Sequence, residues 1–113
     1  MKYAVLGSLL LASLGPGAAL AAACSYTLCS GEISELYVTA NGDAYVTMVG
    51  GLGGLSGCTP NQGAEPYLTL SASSANMKIL YATLLASYTT GRPVSVAMDA
   101  GSNGCTIRYV IAQ

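Results

Sequence analysis

The chain has 113 residues, of which four are basic, five are acidic and none is histidine, and its net charge at pH 7 is −1. So few positive charges exclude a protein that holds nucleic acid through its phosphates. Without histidine neither a Ser/His/Asp triad nor a Cys/His pair can form, and the carboxylates are dispersed along the chain. We therefore expect a protein that is not an enzyme and that needs no cofactor.

The first 23 residues have the pattern of an export signal. Lys2 is followed by the apolar segment AVLGSLLLASL at 4–14, and the alanine-rich run 18–23 offers A-x-A cleavage sites that end at Ala21 or Ala23. The apolar segment is too short to span a membrane, and Gly-Pro-Gly at 15–17 interrupts it. We expect a signal peptide over 1–23, one mature domain over 24–113 without a transmembrane span, and a secreted or periplasmic protein.

Four cysteines, Cys24, Cys29, Cys58 and Cys105, can form two disulfides in an oxidising compartment. Of the three possible pairings we favour Cys24–Cys29, which closes a short loop, and Cys58–Cys105, which share a Gly-Cys-Thr context. Cys24 directly follows the alanine run, as in a bacterial lipoprotein, but lipidation would leave an odd thiol. A metal site is disfavoured because the chain has no C-x-x-C spacing and no histidine.

In chain order, apolar residues alternate along five segments that predict β-strands. These are 32–40, 44–49, 67–72, 93–99 and 105–112. Asn41-Gly42-Asp43 predicts a hairpin turn, and a slip in the alternation at Glu35-Leu36 indicates a bulge. The last strand should place Ile107, Tyr109 and Ile111 on one face. The Gly-rich connection 50–66 is open to two interpretations, a flexible hairpin tip tethered by Cys58 or a binding loop.

The only clear helix lies between the third and fourth strands. Its apolar face has helical spacing and comprises Met77, Leu80, Tyr81, Leu84, Leu85 and Tyr88. Ser73 or Ser74 should cap its start, and Gly91 should end it ahead of Pro93. The other face is small and almost uncharged, which favours packing against a second copy of the chain. It carries Lys78, Ala82, Thr83, Ala86 and Ser87.

The order β-β-β-α-β-β predicts a mainly β fold with one helix, the OB-fold, a five-stranded Greek-key barrel. An α+β sandwich with one helix on an antiparallel sheet is the alternative.

Two segments, ISEL at 33–36 and YTTGRPVSV at 88–96, carry a family resemblance. They resemble the matching parts of secreted bacterial OB-fold B subunits, as in subtilase-cytotoxin and pertussis-like A–B toxins. The resemblance implies a homopentameric ring with helices lining a pore, a catalytic A subunit as partner, and recognition of a glycan or cell-surface glycoconjugate, often sialylated. Ser30 lies nearest the place of the serine that contacts sugar in such subunits.

The seven tyrosines of the predicted mature domain combine a flat apolar face with a hydroxyl, which suits sugars or a subunit interface. They are Tyr26, Tyr37, Tyr45, Tyr67, Tyr81, Tyr88 and Tyr109. Tyr88 and Arg92 flank the helix exit and form a candidate polar rim, so Ser30, Tyr88 and Arg92 are the candidate glycan-binding residues. The function predicted is a secreted, non-catalytic, glycan-binding module. The alternative is a protein-interaction or inhibitor module of the periplasm or envelope with no sugar ligand.

Overall fold

A computed structural model of the chain describes residues 21–62 and 66–113. Within these residues, the prediction of a mainly β fold with one helix is confirmed. The elements are β1 Ala23–Ser25, β2 Leu28–Gly31, β3 Ile33–Val38, β4 Ala44–Met48, β5 Leu68–Leu70, α1 Met77–Thr90, β6 Val94–Met98 and β7 Ile107–Ala112. The predicted signal peptide 1–23 lies outside the described residues except for its last three, and Ala23 already belongs to β1.

The strands form two antiparallel sheets. One has the order β1-β2-β6-β7 and the other β3-β4-β5. Only Glu32 separates β2 from β3, so one long run of chain contributes to both sheets. Between β5 and β7 the described residues form a single parallel bridge, in which the Thr69 N–H donates to the Cys105 carbonyl at 3.2 Å. The two sheets are therefore linked on both sides, and their hydrogen-bonded ladders do not merge into one closed barrel.

The hairpin β1–β2 is an addition to the predicted elements. Its segment, ACSYTLCSG, lacks a run of β-branched residues, so it gives no strand signal. In the structure Cys24 lies directly opposite Cys29 and the two form a disulfide across the pair, while the second disulfide joins Cys58 to Cys105. Both predicted pairings are confirmed.

The other strands lie where the alternation predicts them, and two details of register are informative. The β3–β4 hairpin turns at Asn41-Gly42, and its pairing shifts between Ile33 and Glu35, close to the predicted bulge. A second shift in the β6–β7 pairing, beside Met98, places one extra residue in β7. The prediction that Ile107 shares a face with Tyr109 and Ile111 is therefore wrong. Ile107 is buried, whereas Tyr109 and Ile111 are about half exposed.

The helix begins later than its sequence suggests. Ser71 and Ser74 form a turn of their own, in which the Ser74 N–H donates to the Ser71 carbonyl, and Asn76 precedes the first helical residue without a side-chain cap. The predicted cap at Ser73 or Ser74 is wrong because these serines complete that local turn instead. The predicted end is confirmed, with Gly91 in the left-handed conformation at φ 67°.

The core lies between the sheets and the helix. Its fully buried side chains come mainly from β4, β5 and β6 and from one helix residue, Leu84. Leu80 and Tyr81 pack partly against it, but Leu85 and Tyr88 are about 40% and 39% exposed, so the apolar face of the helix is narrower than its spacing predicts.

The Gly-rich connection is folded onto the body of the protein. Leu52 is buried in the core, Leu55 bridges to Tyr26, and Thr59 bridges to Asn103 next to the Cys58–Cys105 disulfide. These contacts attach residues 52–59 of the connection to the rest of the domain. The interpretation as a flexible tip therefore does not fit residues 50–62.

Gly54 is required where this connection passes the first hairpin. It has φ +103°, and a Cβ built there would lie 2.1 Å from the Cys24 carbonyl oxygen. We expect Gly54→Ala to lower the free energy of unfolding by about 1–3 kcal/mol, because it adds backbone strain and a steric clash. Gly53→Ala is the matched control, since Gly53 has open space around its Cα. Equal urea midpoints for the two variants would contradict this expectation.

Candidate functional site

Three tyrosines form one aromatic surface on the outer face of the three-stranded sheet. Tyr37 on β3 lies directly opposite Tyr45 on β4, and Tyr67 immediately precedes β5. Side chains alternate along a strand, so Tyr45 points away from the core that its neighbours Ala44 and Val46 enter. The alternation of side chains along β4 thus places Tyr45 on the outer face of a hydrogen-bonded, rigid strand.

The rings contact one another edge to face or tilted. The ring centroids of Tyr45 and Tyr67 are 4.5 Å apart with the planes at 41°, and those of Tyr37 and Tyr45 are 5.5 Å apart at 80°. Tyr37 and Tyr67 are 6.1 Å apart at 64°. These separations are typical of attractive aromatic pairs. We call these three residues the tyrosine surface.

The tyrosine surface is partly exposed and lies next to an acid. Tyr37 is 40% exposed, and Tyr45 and Tyr67 are half-buried. Glu35, two residues before Tyr37, is paired with Thr47. Desolvation, then the neighbouring Tyr67 hydroxyl and the charge of Glu35, raise the pKa of the Tyr37 phenol above its ordinary value. A phenol is already protonated at neutral pH at its ordinary pKa, so the Tyr37 hydroxyl can donate a hydrogen bond.

Polar groups beside the tyrosine surface are held in place by hydrogen bonds. Thr69, the cross-strand partner of Tyr45, accepts a hydrogen bond from the Asn61 amide. Thr47 donates to the Pro66 carbonyl at 3.3 Å, and Asn61 exchanges backbone hydrogen bonds with Tyr67. The surroundings of the rings are thus ordered by strand pairing and by this short hydrogen-bond network.

The structure links two of the three predicted glycan-binding residues. The Ser30 hydroxyl lies 2.8 Å from the Ser95 hydroxyl, which also accepts a hydrogen bond from the Gln113 amide. The Arg92 Nε donates to the Gln113 backbone oxygen at 3.0 Å, so Ser30 and Arg92 lie at opposite ends of one polar network. Tyr88 is exposed on the last helical turn, close in sequence to Arg92. Their role in sugar binding stays a prediction.

The predicted oligomer face of the helix is exposed at Lys78, Ala82 and Ala86, whereas Thr83 is half-buried and Ser87 is buried. Lys78, Ala82, Thr83 and Ala86 line a shallow open groove together with Ile79 and with Ala112 of β7. Ile79 is 68% exposed, which is unusual for a side chain of this type. Ser87 is buried, so its assignment to the outer face is wrong, since it lies three residues after Leu84 on the core side.

The carboxylates within residues 21–62 and 66–113 do not assemble into a shared site. Asp43 accepts a hydrogen bond from the Ala72 N–H at 2.7 Å, and Asp99 forms an exposed ion pair with Arg108 at 3.8 Å. No group of three or more potential metal ligands lies together in the described part of the chain. Among the same residues, no helix has the length and apolar character needed to cross a membrane.

The sequence patterns did not predict that the three tyrosines form a cluster, although the pairing of Tyr37 with Tyr45 could have been predicted. Centring the hairpin turn on Asn41 places Tyr37 and Tyr45 the same number of residues from the turn, and hence opposite each other. Tyr67 follows the long Gly-rich connection, whose length gives no register for β5. Its place beside Tyr45 depends on tertiary structure alone.

Comparison of the chain with protein-family models, with curated proteins and with solved structures finds no match. The interpretation of the site therefore rests on its own geometry.

Proposed function

We propose that the chain is a secreted, non-catalytic binding module for glycans and that the tyrosine surface contacts the sugar. The observation that carries this proposal is the contiguous contact of Tyr37, Tyr45 and Tyr67 on an outer sheet face. The C–H groups on one side of a pyranose ring pack well on flat aromatic faces, while phenol hydroxyls bind its oxygens. Because β3 and β4 hold Tyr37 and Tyr45, and the bridge to Asn61 holds Tyr67 beside β5, little side-chain entropy is lost on binding.

The charge beside the tyrosine surface favours a neutral sugar. Glu35 can accept hydrogen bonds from sugar hydroxyls, whereas it would repel the carboxylate of a sialic acid. Among the described cations, Arg92 is bonded to Gln113 and Arg108 to Asp99, and Lys78 lies at the helix groove. The proposed ligand is thus a neutral glycan, in contrast to the sialylated ligands that the sequence resemblance implies.

The OB-fold is part of the proposal, and the strand circuit supports it. Starting from β3, the order runs through β4 and β5, crosses the Thr69–Thr106 bridge to β7, and returns through β6 to β2. β2 then continues into β3, and the helix joins β5 to β6. Counted as one strand, the run β2–β3 makes five strands together with β4, β5, β6 and β7. A partly open five-stranded barrel with one helix in this connection is the OB arrangement, which commonly presents one sheet face to its ligand.

Export is the second part of the proposal. Two disulfides among the described residues favour an oxidising compartment outside the cytoplasm, because cytosolic thiols are kept reduced. The leader-like pattern of residues 1–23 agrees with this location. Pairing of Cys24 with Cys29 leaves no thiol there for lipidation.

Binding to an array of neutral and sialylated oligosaccharides tests the proposed function. We expect wild-type protein to retain neutral glycans and Tyr37→Ser to lose about five- to tenfold in affinity, as one aromatic contact contributes on the order of 1 kcal/mol. Tyr109→Ser is the matched control, since Tyr109 is 46% exposed but lies on the other sheet. Absence of glycan binding, or an equal loss in both variants, would overturn the proposal. Loss in Arg92→Gln alone would assign the sugar to the polar network.

Self-association through the helix groove is proposed together with the glycan function. A ring of five subunits and a catalytic A subunit are what the toxin resemblance implies. The exposed Ile79 on a face of small residues supports self-association, without fixing the number of subunits. We expect light scattering to give an oligomeric mass for the wild type and a monomeric mass for Ile79→Glu. Ile111→Glu is the control, because Ile111 has 51% exposure on a different face. A monomeric wild type, or dissociation by the control only, would reject the helix groove.

One observation favours the alternative function, a module that binds another protein. Leu28, Tyr109 and Ile111 are exposed on the outer face of the four-stranded sheet, where β2, β6 and β7 lie side by side. Apolar side chains grouped on a sheet face are typical of protein interfaces. A protein partner whose binding is lost in Ile111→Glu, combined with no signal on the glycan array, would select this function.

A further inference from the structure

The folded domain includes residues that precede its predicted boundary at Cys24. Ala23 pairs with Ser30 in the β1–β2 hairpin. The Ala22 N–H donates to the Val49 carbonyl at 2.6 Å, which connects the N-terminal hairpin to the end of β4. Ala22 is partly buried and packs against the core. Removal of these two residues would delete both the hydrogen bond and the first ladder pair.

A glycine opposite Ala22 is adapted to its presence. Gly31 has φ +151°, and a Cβ built there would lie 2.7 Å from the Ala22 Cα. Real Cβ atoms do not approach another carbon so closely, so only glycine fits while Ala22 is in place. Gly31 thus leaves the space that Ala22 occupies, and the hydrogen bond to Val49 and the Ala23–Ser30 pair add to this contact.

We propose that the processing site is the Ala21–Ala22 peptide bond and that the exported protein begins at Ala22. Of the two A-x-A sites in the sequence, only the one that ends at Ala21 preserves Ala22 and Ala23. A signal peptidase hydrolyses the bond with one water molecule, which leaves a carboxylate on Ala21 of the released peptide and an α-ammonium group on Ala22. That ammonium keeps the donor to Val49. This inference rests on the export part of the proposed function.

The first test expresses the full chain with its own leader in a bacterium and measures the intact mass of the exported protein. The expected mass is that of residues 22–113 less four hydrogens for two disulfides. A product that begins at Cys24, or one that carries a diacylglycerol group, would overturn the inference and leave export intact. An uncleaved chain retained in the cell would overturn both the inference and the export proposal.

The second test asks whether Ala22 and Ala23 stabilise the fold. In the full chain, deleting both residues joins Ala21 to Cys24, and the exported product then begins at Cys24. We expect its thermal midpoint to lie about 5 °C or more below that of the wild type. Gly31→Ala should lower the midpoint strongly in the wild type and less in the deletion variant, where the clash with Ala22 is gone. Equal midpoints for wild type and deletion variant, or equal effects of Gly31→Ala in both, would contradict the role of Ala22.

Discussion

Replacing both Cys58 and Cys105 by alanine is expected to lower the free energy of unfolding by about 4 kcal/mol. The bond joins residues 47 apart in sequence, so its loss enlarges the conformational entropy of the unfolded chain. Cys105 is also fully buried, and the bond holds the Gly-rich connection beside the start of β7. Urea denaturation followed by circular dichroism measures the change.

The Cys24–Cys29 pair is the matched comparison. It closes a separation of only five residues, for which the same chain-entropy argument gives about 2 kcal/mol. Its double alanine variant should therefore unfold at a higher urea concentration than the first variant. If the two variants lose equal stability, the long-loop bond does not have the role that its sequence separation assigns to it.

Leu84→Ala should have an effect of similar size, about 3 kcal/mol. Leu84 is fully buried on the core face of the helix. It belongs to the same core cluster as the buried side chains of β4, β5 and β6. Truncation removes apolar contacts and leaves a cavity. The surrounding disulfide-linked sheets can fill this cavity only in part. Guanidinium unfolding monitored by tyrosine fluorescence measures the loss.

Leu85→Ala is the control for this second variant. Leu85 follows Leu84 in the same helix but is about 40% exposed, so we expect a loss of about 1 kcal/mol or less. A loss at Leu85 as large as that at Leu84 would contradict the difference in burial on which this prediction depends.

Periodicity and spacing predicted the parts of the fold that depend on local pattern. Val94, Val96 and Met98 alternate in sequence and are all buried, and Gly91 ends the helix because only a residue tolerant of the left-handed conformation fits there. The disulfide pairs followed from sequence spacing and context. The strand and the helix end depend on patterns within a few residues. The disulfides depend on a residue type, cysteine, that occurs only four times in the chain.

The rest depends on pairings between distant segments. The extra residue in β7 is visible only once β6 is paired with it, so the exposure of Tyr109 and Ile111 could not be read from alternation. The link from Ser30 to Arg92 passes through Ser95 and Gln113, which no spacing rule brings together. The tyrosine surface needs the register of β5, which the long connection conceals.

The shared run β2–β3 has a consequence for when the chain can fold. Ser30 meets Ser95, 65 residues later, while Tyr37 meets its partner on the adjacent β4. The β3–β4 hairpin can therefore form early, but the four-stranded sheet must wait until β6 and β7 have been made. Because β2 has its second partner, β6, near the far end of the chain, the four-stranded sheet stays incomplete during synthesis. Such a delay would suit the export proposed above, because a chain has to be unfolded while it passes through a membrane channel.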